Sequence, residues 1–316
     1  MTSIPDFLKP NDTVAICSSA RKISCEEIAF AVHMMQNRGY RVMMGKTIGA
    51  DCNQFAGDDD LRAADVQSFI DDKEIKAIFF ARGGYGSVRI LDKLDLTPLR
   101  DNPKWFVGYS DVTALLFHIY YGVSLASLHA TMPINITPES ANMPCAEAML
   151  DILEGKPLCF DGESEICSAD METEGEIIGG NLSVMYSLLG SNSFGDTDGK
   201  ILFIEDLDEY LYHIDRMVQA LKRAGKLSGL KALVVGSMSQ MHDNAIPFGF
   251  SAYEIIASAV AEYDYPKFFG LKIGHQAGKN YPVIVGGQVR ISQKNGKITL
   301  WQNPKAQKQQ VQKANR

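Results

Sequence analysis

Among the serines of this chain, one stands where an apolar strand ends and a helix begins, in Lys104-Trp105-Phe106-Val107-Gly108-Tyr109-Ser110-Asp111-Val112-Thr113. A strand that runs through a Gly-x-Ser turn straight into a helix is the setting of a nucleophile elbow. Such a turn lifts the serine oxygen clear of the sheet and aims the first N–H groups of the helix at a developing oxyanion. Val112 replaces the last glycine of the usual G-x-S-x-G, and a serine helix cap with Asp111 in the first turn is the plainer reading of the same residues. Arg82-Gly83-Gly84-Tyr85-Gly86 also follows an apolar strand, and its glycines let backbone amides approach an anion or simply make a turn. It lacks G-x-G-x-x-G, so it is not a dinucleotide fingerprint. Gly179-Gly180-Asn181 is a third strand-to-helix turn, at which Asn181 either reaches a substrate or caps the helix.

A serine nucleophile needs a base, and the base needs a carboxylate to orient it. The histidines are His33, His118, His129, His213, His242 and His275. His275 differs from the rest. It follows Gly274 at the end of the strand-like run Phe268 to Ile273, in a loop with Gly278 and Asn280, and strand ends are where ligand sites collect in such sheets. Glu205 terminates the apolar run Ile201 to Ile204 and can orient an imidazole, but Asp206, Asp208 and Glu209 compete by spacing alone. No H-E-x-x-H and no paired Cys/His spacing occurs, so neither a metal nor another cofactor is expected. Cys17, ahead of Ser18 and Ser19, reads as a small buried strand thiol.

The elements that must position these groups alternate in the first half. Thr13 to Cys17, Arg41 to Met44, Ile75 to Ala81, Trp105 to Val107 and Val123 to Leu128 read as strands. Between them, helices are expected from a Ser24/Glu27 capping box to Gly39, over Asp59 to Phe69, over about Ser87 to Leu94 and over Asp111 to Tyr120. This predicts an α/β domain with a parallel sheet covered on both faces. A helix around Ala146 to Leu153 precedes an acidic, Ser- and Gly-rich stretch without helical period, which places the domain boundary there. The expected division is an N-terminal domain over 1–155, a linker over 156–175, a C-terminal domain over 176–303 and a flexible tail over 304–316. The second half mixes strands at Glu176 to Ile178, Ile201 to Ile204 and Leu233 to Val235 with helices at Asn181 to Leu189 and along Leu211, Ile214, Val218 and Leu221. It closes on a hairpin around Asn295-Gly296, and so reads as a smaller α+β domain.

The 316 residues suffice for about two domains, and 46% hydrophobic residues with 22% charged exclude a mainly disordered chain. With 31 Lys+Arg against 38 Asp+Glu, the net charge of −7 gives no global attraction to nucleic acid or anionic lipid, which leaves a small molecule or peptide as partner. Pro5, Asp6, Lys9, Pro10, Asn11 and Asp12 break any signal-peptide core, no run of about 18 apolar residues follows, and cytoplasmic location is expected. Cys17, Cys25, Cys52, Cys145, Cys159 and Cys167 then read as free thiols.

Taken in chain order, these motifs join into a larger pattern. Arg82-Gly83-Gly84-Tyr85-Gly86, Gly108-Tyr109-Ser110-Asp111-Val112-Thr113-Ala114-Leu115 and Gly179-Gly180-Asn181-Leu182-Ser183 come first. Gly199-Lys200-Ile201-Leu202-Phe203-Ile204-Glu205-Asp206, Tyr212-His213-Ile214-Asp215-Arg216-Met217 and Gly274-His275 with Asn280 and Pro282 follow. From roughly Thr13 to Val289 the sequence resembles the muramoyl-tetrapeptide LD-carboxypeptidase family of serine peptidases. The resemblance implies a flavodoxin-like N-terminal domain carrying the serine, and a C-terminal domain carrying Glu and His. It also implies Ser110 as nucleophile, His275 as base, Glu205 as orienting acid, and oxyanion donors at the N–H groups of Asp111 and of Gly84 or its neighbour Gly83. The implied activity is release of terminal D-alanine from cytosolic muropeptide tetrapeptides, by a homodimer. By position, Arg82 and Asn181 are substrate-binding candidates. The family's usual His-Gly-Pro is here His129-Ala130-Thr131-Met132-Pro133, and Val283-Ile284-Val285-Gly286 delays the glycine that commonly follows Pro282 sooner. Two other functions fit the same residues: the microcin C immunity branch, which cleaves aminoacyl nucleotide amides, and a non-catalytic two-domain peptide-binding protein.

Overall fold

The computed structural model describes residues 2–140, 142–166 and 169–314. In the first half, β1 (Thr13–Cys17), β2 (Arg41–Met44), β3 (Ile75–Phe80), β4 (Trp105–Gly108) and β5 (Ser127–His129) form a parallel sheet ordered β2-β1-β3-β4-β5. That is the flavodoxin-like order, with its switch point between β1 and β3. The continuous apolar runs read as strands buried on both faces, and alternate side chains of β1, β3 and β4 do enter different layers. Val14, Ile16, Ala77, Phe79, Trp105 and Val107 pack toward the helices Ala29–Asn37 and Met143–Leu153. Ala15, Cys17, Ile78, Phe80 and Phe106 pack toward Asp59–Asp71 and Thr113–Val123.

The second half supplies β6 (Leu158–Glu163), β7 (Met171–Asn181), β8 (Ile201–Leu207), β9 (Ala232–Ser239), β10 (Lys267–Phe269), β11 (Val283–Val285), β12 (Gly287–Lys294) and β13 (Lys297–Gln302). All but β11 form a sheet ordered β10-β9-β8-β7-β12-β13-β6, parallel from β7 to β10 and antiparallel from β7 through β12 and β13 to β6. Asn295 and Gly296 turn the β12–β13 hairpin with φ of 51° and 77°, as the two-residue turn requires. The apolar layer containing Phe106 continues through Ile178, Phe203 and Val234, so one core runs beneath both sheets.

Several expectations need correction. The segment 156–175 is not a plain linker. It holds β6 and the start of β7, and β6 was illegible because only Phe160 and Gly162 point inward while Cys159 and Glu163 are exposed. The second half also gives a strand back: β11 pairs antiparallel with β5 and closes the first sheet. The tail forms the helix Pro304–Ala314, and the buried Gln307 accepts from Gln288 N–H at 2.9 Å and donates to Gly286 O at 3.1 Å. Ser87–Lys93 is a 3-10 helix, and the helix after Ser110 runs on to Val123, which shortens the expected strand there to Ser127–His129. The helix Ala252–Ala259, opened by a Ser251/Glu254 capping box, was not anticipated. Cys17, Cys25, Cys52, Cys145 and Cys159 are free thiols, and Cys167 lies outside the described residues.

Candidate active site

Ser110 follows β4 with a φ of 61°, a left-handed conformation that a non-glycine residue holds only when its surroundings enforce it. Gly108 makes room for the missing glycine of the motif, since a Cβ there would lie 2.8 Å from Val112 Cγ1. The 3-10 turn Ser110–Val112 then leads into the helix Thr113–Val123, leaving Asp111 N–H among the helix-start donors without an intrahelical acceptor. Asp111 itself is buried, and its Oδ2 accepts from Ser87 N–H at 2.8 Å. This bond ties the serine turn to the end of the glycine loop. Gly83 lies against Ser110, for a Cβ on it would stand 3.1 Å from Ser110 Cβ. Gly84 has a φ of 110°.

The carboxylate and imidazole come from the other domain. Glu205 lies within β8 and is fully buried, and His275 Nδ1–H donates to its Oε2 at 2.6 Å. Burial opposes a charge on either group, but the pair outweighs it. The nearby imidazole and its hydrogen bond hold Glu205 below the ordinary carboxylate range, and the Glu205 charge holds His275 above its ordinary value. Gly274 makes the approach feasible: with φ of 121°, a Cβ on it would lie 2.7 Å from Glu205 Oε2. The Tyr109 ring packs on the His275 ring at 4.7 Å between centroids, and its hydroxyl donates to Asn135 Oδ1 at 3.2 Å. Among the described residues Ser110 Oγ has no hydrogen-bond partner, although it and His275 line one cleft. Such bonds are often long before substrate binds.

The competing carboxylates separate by environment. Asp208 bonds His242 Nε2 at 2.5 Å, and Glu209 bonds His213 Nδ1 at 2.6 Å, so each is engaged by another imidazole. Asp206 is buried and accepts from Asn181 Nδ2, Ser183 N–H and Leu207 N–H, while burial and the Glu205 charge push it up to about 7. His129 is fully buried near Glu205 and Phe203, and burial pushes it down to about 4, so it is a neutral ring at working pH.

Asn181 joins the halves. Its N–H donates to Thr113 Oγ1 at 3.1 Å, and a Cβ on Gly180 would lie 2.6 Å from the same Thr113, so the end of β7 rests on the helix that follows Ser110. The Asn181 side chain caps Leu182–Ser187 by accepting from Val184 N–H, so both ends of its amide are engaged. Arg82 lines the cleft, but its Nη1 donates to Lys22 O at 3.2 Å.

Ser110 stands between two lobes. One, about 500 Å³, contains His275, Gly83, Gly84, Arg21 and Arg82; the other, about 310 Å³, contains Asp111, Asn181, Ser183 and Asp206. A larger groove of about 580 Å³ lies between the helices Leu211–Arg223 and Ala252–Ala259, but among the described residues no histidine lines it to act as a base for Ser258. Sequence reading missed Tyr109 and Arg21 as cleft residues and Gly274 as the spacer for Glu205. Only the Gly274 role left a signal, a glycine directly before the candidate base.

A serine on a left-handed turn, backbone N–H groups beside it and a buried carboxylate–imidazole pair are the parts of a hydrolase that works by acyl transfer. The chain belongs to the LD-carboxypeptidase family of peptidases, matching its N-terminal domain over residues 14–130 and its C-terminal domain over residues 174–291. It is 32% identical over 280 residues to a probable murein peptide carboxypeptidase of Bacillus subtilis, covering 86% of each chain. A murein tetrapeptide carboxypeptidase of Pseudomonas aeruginosa is 25% identical over 84% of this chain and 88% of its own. The solved muramoyltetrapeptide carboxypeptidase from Oxalobacter formigenes superposes with a TM-score of 0.81 at 25% identity, over 92% of this chain and 98% of that one. A microcin C7 self immunity protein in complex with aspartyl sulfamoyl adenosine gives a TM-score of 0.82 at 22% identity, over 96% and 99%, a likeness of fold.

Proposed function

We propose that this protein is a serine-type LD-carboxypeptidase that hydrolyses the amide between an L-centre and a terminal D-alanine in muropeptide tetrapeptides, within cytoplasmic cell-wall recycling. The observation that carries this reading is the buried Glu205–His275 pair, bonded at 2.6 Å, opening on the same cleft as Ser110. Ser110 Oγ attacks the scissile carbonyl as His275 Nε2 takes its proton, and Glu205 steadies the imidazolium that forms. The oxyanion faces the N–H groups of Asp111 and Gly84. As the C–N bond breaks, His275 returns the proton to the amine of D-alanine. Water, deprotonated by His275, then attacks the ester, which releases the tripeptide and restores Ser110. The names of the relatives support the substrate class, and the free thiols support a reducing compartment.

The rival activity, cleavage of aminoacyl nucleotide amides by the same groups, draws on the exposed Tyr85 at the rim of the smaller lobe, a surface on which a base can stack. Incubating the protein with a defined tetrapeptide, and separately with an aminoacyl nucleotide amide, separates the two. The expected product is tripeptide plus D-alanine, detected by mass. Unchanged tetrapeptide overturns the substrate assignment.

A further inference from the structure

We propose that Arg21 holds the terminal carboxylate of the leaving amino acid and thereby makes the enzyme an exopeptidase, an assignment that rests on the peptidase reading above. His275 must protonate the leaving amine, so the leaving residue lies in the lobe that contains His275 rather than in the one that contains Asp206 and Ser183. In an amino acid the carboxylate is one carbon from that amine, so it enters the same lobe. Two arginines line it, Arg21 and Arg82.

They differ in how far they are already engaged. Arg82 Nη1 donates to Lys22 O at 3.2 Å and lies 3.9 Å from Glu27 Oε1. The Arg21 guanidinium has no hydrogen bond and no ion pair among the described residues, in a chain of net charge −7. Its base is nevertheless fixed. Arg21 N–H donates to Gly83 O at 3.4 Å, and residue 21 bridges to Phe55. The stem lies across Gly84 so closely that a Cβ there would stand 2.1 Å from Arg21 Cδ and 2.4 Å from its Cγ. An otherwise uncommitted cation is thus seated on the loop that carries Gly84 N–H. Asp208 and Glu209 also line this lobe, and the two arginines are its permanently cationic side chains. Arginine suits a planar carboxylate, which it can bind through two parallel N–H bonds.

The test compares kcat/KM for a peptide ending in D-alanine with that for the same peptide ending in D-alaninamide. The wild type is expected to prefer the acid. Arg21→Ala is expected to lose about 10²-fold on the acid and less than about 3-fold on the amide, erasing the preference. Arg21→Gln, which keeps the stem over Gly84 and removes the charge, is expected to show the same selective loss if the alanine variant folds poorly. Equal losses on both peptides, or erasure of the preference by Arg82→Ala in place of Arg21→Ala, overturn the assignment. A wild type that cleaves both peptides equally also overturns it. A wild type that cleaves neither overturns the peptidase reading itself.

Discussion

Replacing Gly274 by alanine perturbs the Glu205–His275 pair while leaving both of its residues in the sequence. The new Cβ would stand 2.5 Å from Ser237 Oγ, 2.7 Å from Glu205 Oε2 and 2.9 Å from Glu205 Cβ. Ordinary contact begins at about 3.5 Å, so the carboxylate must withdraw by about 0.8 Å or the glycine loop must lift by as much. Either movement can stretch the 2.6 Å bond that holds His275 toward about 3.4 Å and weaken it. A misplacement of about 1 Å in a catalytic group costs about 10²-fold, and that is the expected loss in kcat/KM. Stability falls as well, because the φ of 121° is unfavourable for alanine and the site is close-packed. Together these cost about 2–4 kcal/mol, or a Tm lower by about 3–6 °C in a chain of 316 residues. The decisive readout is the pH profile. As the proposed base, His275 must be neutral in the wild type, so activity is expected to be lost as pH falls through the raised pKa of that group. Moving Glu205 away removes what raises it, and the acid limb of the variant shifts to lower pH even as the rate drops. Gly190→Ala is the control. It carries a φ of 83° with nothing within 4 Å of the added Cβ, and is expected to lose about 1 kcal/mol of stability and no activity. A Gly274→Ala enzyme with unchanged kcat/KM and an unchanged acid limb would refute the proposed coupling of Glu205 to the base.

Glu205→Gln removes the charge while keeping the shape. It is expected to lower kcat/KM by about 10²- to 10⁴-fold and to shift the acid limb of the pH profile downward, which a pH series of initial rates checks. Lys104→Met tests the scaffold beneath the serine turn. Buried Lys104 donates to Phe69 O at 2.8 Å, Ile70 O at 2.9 Å and Asp72 O at 2.7 Å, closing the end of the helix Asp59–Asp71. Leaving those carbonyls without a donor is expected to cost about 2–4 kcal/mol in urea unfolding, with kcat/KM of the folded protein unchanged.

Much of the first domain is legible because each element carries its own local signal. Continuous apolar runs mark β1, β3 and β4, and Ser24 with Glu27 makes both bonds of the expected capping box. The serine turn is legible for the same reason, since Gly108, Ser110 and the following helix are contiguous. What escapes is non-local. The three residues of β11 have no period of their own and pair with β5 from the far end of the chain. The edge strand β6 presents an alternating, half-polar face that reads as a loop. Choosing Glu205 over Asp206, Asp208 and Glu209 needs family resemblance at the sequence level. In the structure it follows from strand geometry, because Glu205 is the residue of the four whose carboxylate meets His275. The role of Arg21 is invisible in sequence because it depends on Gly84, distant in the chain, giving up its side-chain volume to the arginine stem.

The central claim is that Ser110 forms the acyl-enzyme with His275 as its base. Rapid acid quenching of the enzyme with excess tetrapeptide, followed by proteolysis and mass mapping, tests it most directly. The account predicts an adduct equal to the tetrapeptide less D-alanine on the peptide containing Ser110, absent in Ser110→Ala along with turnover. An adduct on another residue, or a Ser110→Ala enzyme that still releases D-alanine at the wild-type rate, would contradict it.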